Sequence, residues 1–335
     1  MNDLSIRKDR HAGRITFTRP QALNALSHDM ALAILEALTR WRDDPEVRLV
    51  IIDAEGARAF CAGGDIAAVY QAGRVGDHAL GERFFADEYR MNAMLADYPK
   101  PVVAFMQGFV MGGGVGVGGH AAHRVVGDST QMAMPETGIG LVPDVGGSWL
   151  LGRAPGRIGE YLGLTGARMG AGDAIHAGFA DFYIPEAEWP ALIDRLASCG
   201  EVAGLKGHPR PHPPLADRDL SAFGGRTLAD IMAALEASGD LEALAALRRN
   251  SPLSMAATLA MVRAARADQR MQDSLSREYR YTARATAMTD FLEGVRAQII
   301  DKDRNPQWRA EAGPEQVRAV LAPLGAKELI WEEQR

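Results

Sequence analysis

Apolar and polar positions alternate over residues 14–18 (RITFT), a strand pattern that Arg19-Pro20 interrupts. Ser27 is a good N-cap. After it Met30, Ile34, Leu38 and Trp41 recur at helical spacing, so a helix is expected up to Trp41. Residues 47–53 (VRLVIID) read as a buried strand, and the turn Glu55-Gly56 leads into Ala59–Asp65 (AFCAGGD), with a short helix behind it. A longer helical stretch runs from about Gly81 to Asp97 and stops at Pro99 and Pro101. Residues 102–106 (VVAFM) form the next strand pattern, feeding Gly108–Gly114 (GFVMGGG). A helix-like run of small residues follows to about Gly119, then a strand over 122–126.

Strand and helix thus alternate through the first half, which predicts an α/β core. From about Glu186 the strand pattern ends. Residues 226–299 are helical in pattern nearly throughout, with Ser251-Pro252 as a helix start. The Pro-rich stretch His208–Pro214 is the linker candidate. It divides an α/β core over 1–207 from a helical region over 208–335.

A chain of 335 residues can bury a sizeable core as one large domain, or as one domain with an appendage. Net charge is −6 and the pI near 5.8, which speaks against a general nucleic-acid or membrane-surface role. A phosphate-bearing ligand then needs local basic groups or helix N-termini. Two cysteines, Cys61 and Cys199, give neither a disulfide framework nor a zinc cluster, and they fit a reducing compartment. The N-terminal stretch has no apolar signal core, and no run of eighteen apolar residues occurs, so a cytoplasmic protein is expected. No metal is expected, and self-association into a homo-oligomer stays open.

Gly114–Gly119 (GVGVGG) matches the dinucleotide pattern G-x-G-x-x-G. A Rossmann unit needs a crossover helix and then a strand ending in an acid, but the next strand begins by about Ala122. Clustered glycines also let a ligand approach backbone N–H groups, and a second glycine turn, Cys61–Gly64, follows a different strand. Two such turns on neighbouring strands can aim two N–H donors at one oxygen, the layout of an oxyanion hole. The plainer alternative is two tight turns. Cys61 has no histidine tied to it as a nucleophile's base, and no G-x-S-x-G elbow occurs. His120 and His123 read as packed histidines.

Met134–Gly147 (MPETGIGLVPDVGG) holds two acids, Glu136 and Asp144, in an otherwise uncharged stretch. A desolvated carboxylate gains a raised pKa and becomes an acid, base or nucleophile near neutral pH. The bland alternative makes Asp144 the cap of a helix opening near Ser148.

The chain resembles the crotonase, or enoyl-CoA hydratase/isomerase, superfamily, and within it the 3-hydroxyisobutyryl-CoA hydrolases. The resemblance runs from about Ile15 to Trp308. It is carried by Asn24–Leu26, Ala59–Asp65, Phe85–Arg90, Val110–Gly116, Met134–Gly147, Asn250–Ser254, Asp290–Arg296 and Asp301–Pro306. It implies a spiral of ββα turns closed by C-terminal helices. It also implies an acyl-CoA thioester substrate, with coenzyme A part of the substrate and no separate cofactor. By this resemblance the thioester oxygen is held by the backbone N–H groups of Ala62 and Gly113. Glu136 is the nucleophile or the base that activates water, Asp144 binds the substrate hydroxyl or handles protons for the leaving thiolate, and Glu88 contacts the hydroxyl end of the acyl group. Enoyl-CoA hydratases carry a further glutamate where this chain has Gly116, so hydrolysis of 3-hydroxyisobutyryl-CoA to 3-hydroxyisobutyrate, a step of valine catabolism, is the expectation. Hydration or isomerisation through Glu136, and acyl-CoA binding without turnover, are the alternatives. Lys302 and Arg296 are weak candidates for the coenzyme A phosphates.

Overall fold

The computed structural model describes residues 3–309 and 312–331. The chain forms two compact units, each gathered from separate stretches of sequence. The first comprises Met1–Asp65, Arg90–Ala133 and Arg168–Asp217, and the second Ile66–Tyr89, Met134–Ala167 and Arg218–Arg335.

The strands belong to the first unit: β1 (Leu4–Asp9), β2 (Ala12–Phe17), β3 (Leu49–Ala54), β4 (Ala59–Cys61), β5 (Val102–Met106), β6 (Phe109–Met111), β7 (His123–Val126), β8 (Gln131–Ala133) and β9 (Phe182–Tyr183). One sheet has the order β1-β2-β3-β5-β7-β9, and a smaller one the order β4-β6-β8. Pairing is parallel except for β1 with β2. Successive strands thus alternate between sheets: β3, β5 and β7 go to one, and β4, β6 and β8 to the other. Each turn of chain lays one strand in each sheet, which is the ββα spiral expected from the resemblance.

Parallel strands are covered on both faces, so they read as continuous apolar runs. Strand β5, VVAFM, is buried at every position. Every second residue of the larger sheet, Leu49, Ile51, Val103, Phe105 and Val125, meets Trp189, Ile193 and Leu196 of the helix Trp189–Cys199. Each such side chain contributes roughly 1.5–3 kcal/mol on burial. The helix predicted after Ser27 spans His28–Arg42, with the Ser27 hydroxyl accepting from Met30 N at 3.2 Å.

The second unit is helical among its described residues. The helix Pro252–Ala265 begins as expected, with Ser251 as N-cap and Pro252 in its first turn. Around it stand Gly147–Arg153, Ile158–Thr165 and Met271–Thr282. The helix Ala79–Ala96 is the expected stretch after Gly81, and its residues as far as Tyr89 belong to this unit. Among the described residues no helix is long and apolar enough to cross a membrane.

Candidate active site

In the first unit, strands β4 and β6 lie side by side and parallel, so the two glycine turns that follow them are neighbours. Their backbones touch: a Cβ on Gly114 would collide with the Cys61 carbonyl, so only glycine fits there. Gly113 opens the short helix Gly113–Gly118, where the first N–H groups have no intrahelical acceptor. The Gly113 N–H is therefore available.

The Ala62 N–H is not. It donates to the Leu23 carbonyl at 3.0 Å, so the fold itself consumes this donor. The next N–H groups of the turn differ. Gly63 O accepts from Leu26 N at 2.9 Å and Asp65 N donates to Leu26 O at 2.8 Å, a parallel bridge in which Gly64 is the paired residue. In such a bridge the paired residue turns its own N–H to the opposite side. The Gly64 N–H accordingly points away from Leu26 and has no acceptor among the described residues. The motif located the turn but not the residue, because which N–H is free depends on the pairing with Leu23 and Leu26.

The second unit gathers four carboxylates, Glu88, Glu136, Asp144 and Glu278, all buried. Glu136 starts a single 3-10 turn, Glu136–Ile139, closed by Gly140 at φ +73°. A Cβ on Gly140 would strike the Asp290 backbone, so the loop is wedged against the residues before Phe291. Ser251 N donates to Thr137 O at 3.0 Å, Asn250 Nδ2 to Thr137 Oγ1 at 3.1 Å, and the Ser251 hydroxyl to Asp290 Oδ2 at 2.6 Å. The Asn250–Ser254 and Asp290–Arg296 segments of the resemblance thus act as buttresses of the Glu136 loop.

Burial pushes the Glu136 carboxyl well above the usual carboxylate range, and the nearby Asp144, Glu278 and Glu88 push it further. Burial and Asp144 do the same to Glu88. Glu136 Oε2 and Glu88 Oε1 have no hydrogen-bond partner. Asp144 and Glu278 are better supplied. Tyr89 O–H donates to Asp144 Oδ2 at 2.6 Å, and Asp144 is pushed up to about 7, burial being the main cause and the tyrosine bond opposing it. Glu278 is also pushed up to about 7 by burial, opposed by the Ser148 hydroxyl and the N–H groups of Gly146 and Ser148. Burial thus raises all four carboxyls, and the donors on Asp144 and Glu278 oppose it there.

Asp144 does not cap the helix Gly147–Arg153. Its carboxylate faces Tyr89, and Glu278 takes the N–H groups at that helix start. Tyr89 and Glu278 are the residues that sequence reading missed. Their signal was present: Glu278 falls on the buried stripe Met271, Leu275, Glu278, Thr282 of its helix, where a carboxylate is out of place. Arg296 is taken up by Glu293, Asp301 and Asp303 at 2.7–2.8 Å, so it offers no free charge to a phosphate. Lys302 is exposed. Among the described residues no cluster of three or more ligand-type side chains could hold a metal.

A family model described as enoyl-CoA hydratase/isomerase matches residues 12–321. The chain is 38% identical to 3-hydroxyisobutyryl-CoA hydrolase 1 of Arabidopsis thaliana, over 88% of this chain and 83% of that protein. It is 40% identical to the mitochondrial 3-hydroxyisobutyryl-CoA hydrolase of Xenopus tropicalis, over 90% of this chain and 82% of that protein. Among solved structures, one named as an enoyl-CoA hydratase from Rhodobacter sphaeroides 2.4.1 matches with a TM-score of 0.95 and 55% identity, over 98% of this chain and 100% of that one. Another, named as a carnitinyl-CoA dehydratase from Mycobacterium thermoresistibile, matches with a TM-score of 0.93 and 40% identity over 100% of both chains.

Proposed function

Because the chain belongs to the enoyl-CoA hydratase/isomerase family, the crotonases, we propose that it hydrolyses a 3-hydroxyacyl-CoA thioester, 3-hydroxyisobutyryl-CoA, to 3-hydroxyisobutyrate and coenzyme A. The observation that carries the reading is the placing of Glu136 and Asp144 in one buried cluster, with Glu136 Oε2 lacking a donor and Asp144 Oδ2 held by the Tyr89 hydroxyl. Two carboxyl groups in such different surroundings are what an acid–base pair needs. The names of the relatives supply the acyl group.

The reading assigns the developing oxyanion to the N–H groups of Gly64 and Gly113, each donor contributing about 3–4 kcal/mol to the transition state. Glu136 passes its proton to Asp144 and becomes a carboxylate. It then either attacks the thioester carbon or takes a proton from the attacking water. In the first route the C–S bond breaks, the thiolate leaves with the proton from Asp144, and a mixed anhydride remains. Water cleaves that anhydride, with Asp144 accepting its proton. Glu88 binds the substrate's 3-hydroxyl. The reading also places the protein in the cytoplasm, supported by Cys61 and Cys199, which form no disulfide and fit a reducing compartment.

A second reading, hydration of enoyl-CoA, is favoured by the names of the two solved structures. Against it stands Gly116, buried in the helix after the glycine turn, where the hydratase pattern has a glutamate. Thiol release from a panel of acyl-CoA thioesters, run beside hydration of crotonyl-CoA, separates the two. Fast thiol release from 3-hydroxyisobutyryl-CoA with slow hydration is the expected result. Hydration as fast as hydrolysis would sink the hydrolase reading.

A further inference from the structure

We propose that Glu278 is the positioning residue for Asp144, acting through the strained turn that follows it. The proposal rests on the hydrolase reading in one respect: Asp144 must take part in turnover. The Asp144 carbonyl accepts from Gly147 N at 2.6 Å, closing a four-residue turn. Its two central residues are Val145 at φ +54° and Gly146 at φ +79°. Glycine adopts such an angle freely, but for a β-branched residue it is an outlier. A strained residue costs roughly 1–3 kcal/mol and persists only when its surroundings over-determine it.

Glu278 supplies the constraint. From the helix Met271–Thr282 its Oε2 accepts from Gly146 N at 2.8 Å. Its Oε1 accepts from Ser148 N at 2.9 Å and from the Ser148 hydroxyl. Three donors on one carboxylate fix both residues that flank Gly147. The same helix brings Thr282 Oγ1 to 3.1 Å from the Tyr89 hydroxyl, which holds Asp144 Oδ2. One helix therefore sets the backbone after Asp144 and also the partner of its side chain. Glu278 is fully buried, and among the described residues no lysine or arginine forms an ion pair with it. Burying such a group is costly, and here that cost is offset only by the three donors of the turn.

Both oxygens of Glu278 accept from N–H groups, so no orientation of a glutamine satisfies both. Glu278→Gln keeps the volume and sets its amide NH₂ against either Gly146 N–H or Ser148 N–H. The experiment is steady-state thiol release from 3-hydroxyisobutyryl-CoA by wild type, Glu278→Gln, Asp144→Asn and the double variant. A small misplacement of a reacting group costs up to about 100-fold, so kcat of Glu278→Gln should fall about 10- to 100-fold, with KM within about threefold. In the Asp144→Asn background the same change should cost less than about twofold, because the group it positions is gone. An unchanged kcat, or a loss that multiplies in full in the double variant, overturns the proposal. Asp144→Asn at the wild-type rate defeats the hydrolase reading instead. If Glu278→Gln does not fold, Ser148→Ala removes one donor of the clamp. It should show a smaller loss that again vanishes beside Asp144→Asn, and additive losses would overturn the proposal equally.

Discussion

The Tyr89 hydroxyl donates to Asp144 Oδ2 at 2.6 Å, and among the described residues this is the one side-chain donor that the Asp144 carboxylate has. Burial alone favours the neutral acid, and the tyrosine bond is what brings Asp144 back to about 7, within reach of physiological pH. In Asp144 the burial cost outweighs its donor, and the carboxyl stays raised from 3.8 to about 7. Glu136 and Glu88 each have an oxygen without a donor, and burial pushes both well above the usual carboxylate range.

Tyr89→Phe removes that donor and keeps the ring. A hydrogen bond to a charged group contributes about 1.5–3 kcal/mol, so the Asp144 pKa should rise by about one to two units from about 7. The other ionisable groups around it, Glu88, Glu136 and Glu278, are carboxylates, so none replaces the lost stabilisation of the anion. The acid limb of kcat/KM should move to higher pH, with activity at pH 7 reduced and largely restored near pH 9. A limb that stays in place would mean that Asp144 does not govern it.

Proline scanning separates the two backbone donors of the first glycine turn. Gly64→Pro deletes the N–H that faces away from Leu26 and should lower turnover by about 100-fold or more, with thermal stability nearly kept. Ala62→Pro deletes the N–H bonded to Leu23 and should lower stability, because a fold hydrogen bond and its geometry are lost. Turnover and melting temperature of the two variants test this. The reverse outcome, an inactive but stable Ala62→Pro and an active Gly64→Pro, would return the donor to Ala62.

The elements legible in the sequence were those with a strong local signal. The helix after Ser27 has a cap and a clean apolar stripe, and β5 is a bare apolar run between two turns. The strands β4, β6 and β8 were not legible. Each is three residues long, and each is made by its neighbours in the sheet rather than by its own pattern. The same limit applies to the site. Glu136 and Asp144 stand out as acids in an apolar stretch, whereas Tyr89 looks like an ordinary core aromatic until Asp144 is placed against its hydroxyl. Glu278 contacts a turn 130 residues away, and no local pattern specifies such a pairing.

Glu136→Gln keeps the shape and removes the carboxyl that the hydrolase reading makes nucleophile or base. Its turnover should fall by about 100-fold or more, with substrate binding largely retained. If Glu136 hands its proton to Asp144, the two acids act as a unit. The double variant Glu136→Gln/Asp144→Asn should then lose far less than the product of the single losses. Thiol release from folded single and double variants, with folding checked by circular dichroism, decides it. Independent, multiplying losses would mean that no proton passes between them.

The carboxylate cluster should also make the fold pH-dependent, and Asp144 gives the sign. Its pKa is about 7 in the folded chain against an ordinary 3.8, so the folded state binds the proton more tightly than the unfolded state does. A group raised in this way contributes stability that is fully present below about pH 4. That stability is lost progressively as the pH climbs through about 7. A displacement of this size corresponds to a loss on the order of 4 kcal/mol above pH 7. Asp144→Asn keeps a carbonyl oxygen for the Tyr89 hydroxyl and carries no charge at any pH. At pH 5 only about a third of that loss has accrued, so the two melts should differ least there. At pH 8, where wild type must bury the anion, the variant should melt several degrees higher while its turnover is reduced. Thermal melts of both proteins between pH 5 and pH 8 read this directly. Parallel curves across the whole range would show that Asp144 does not titrate near neutrality in the folded protein, and the acid–base pairing with Glu136 would lose its basis.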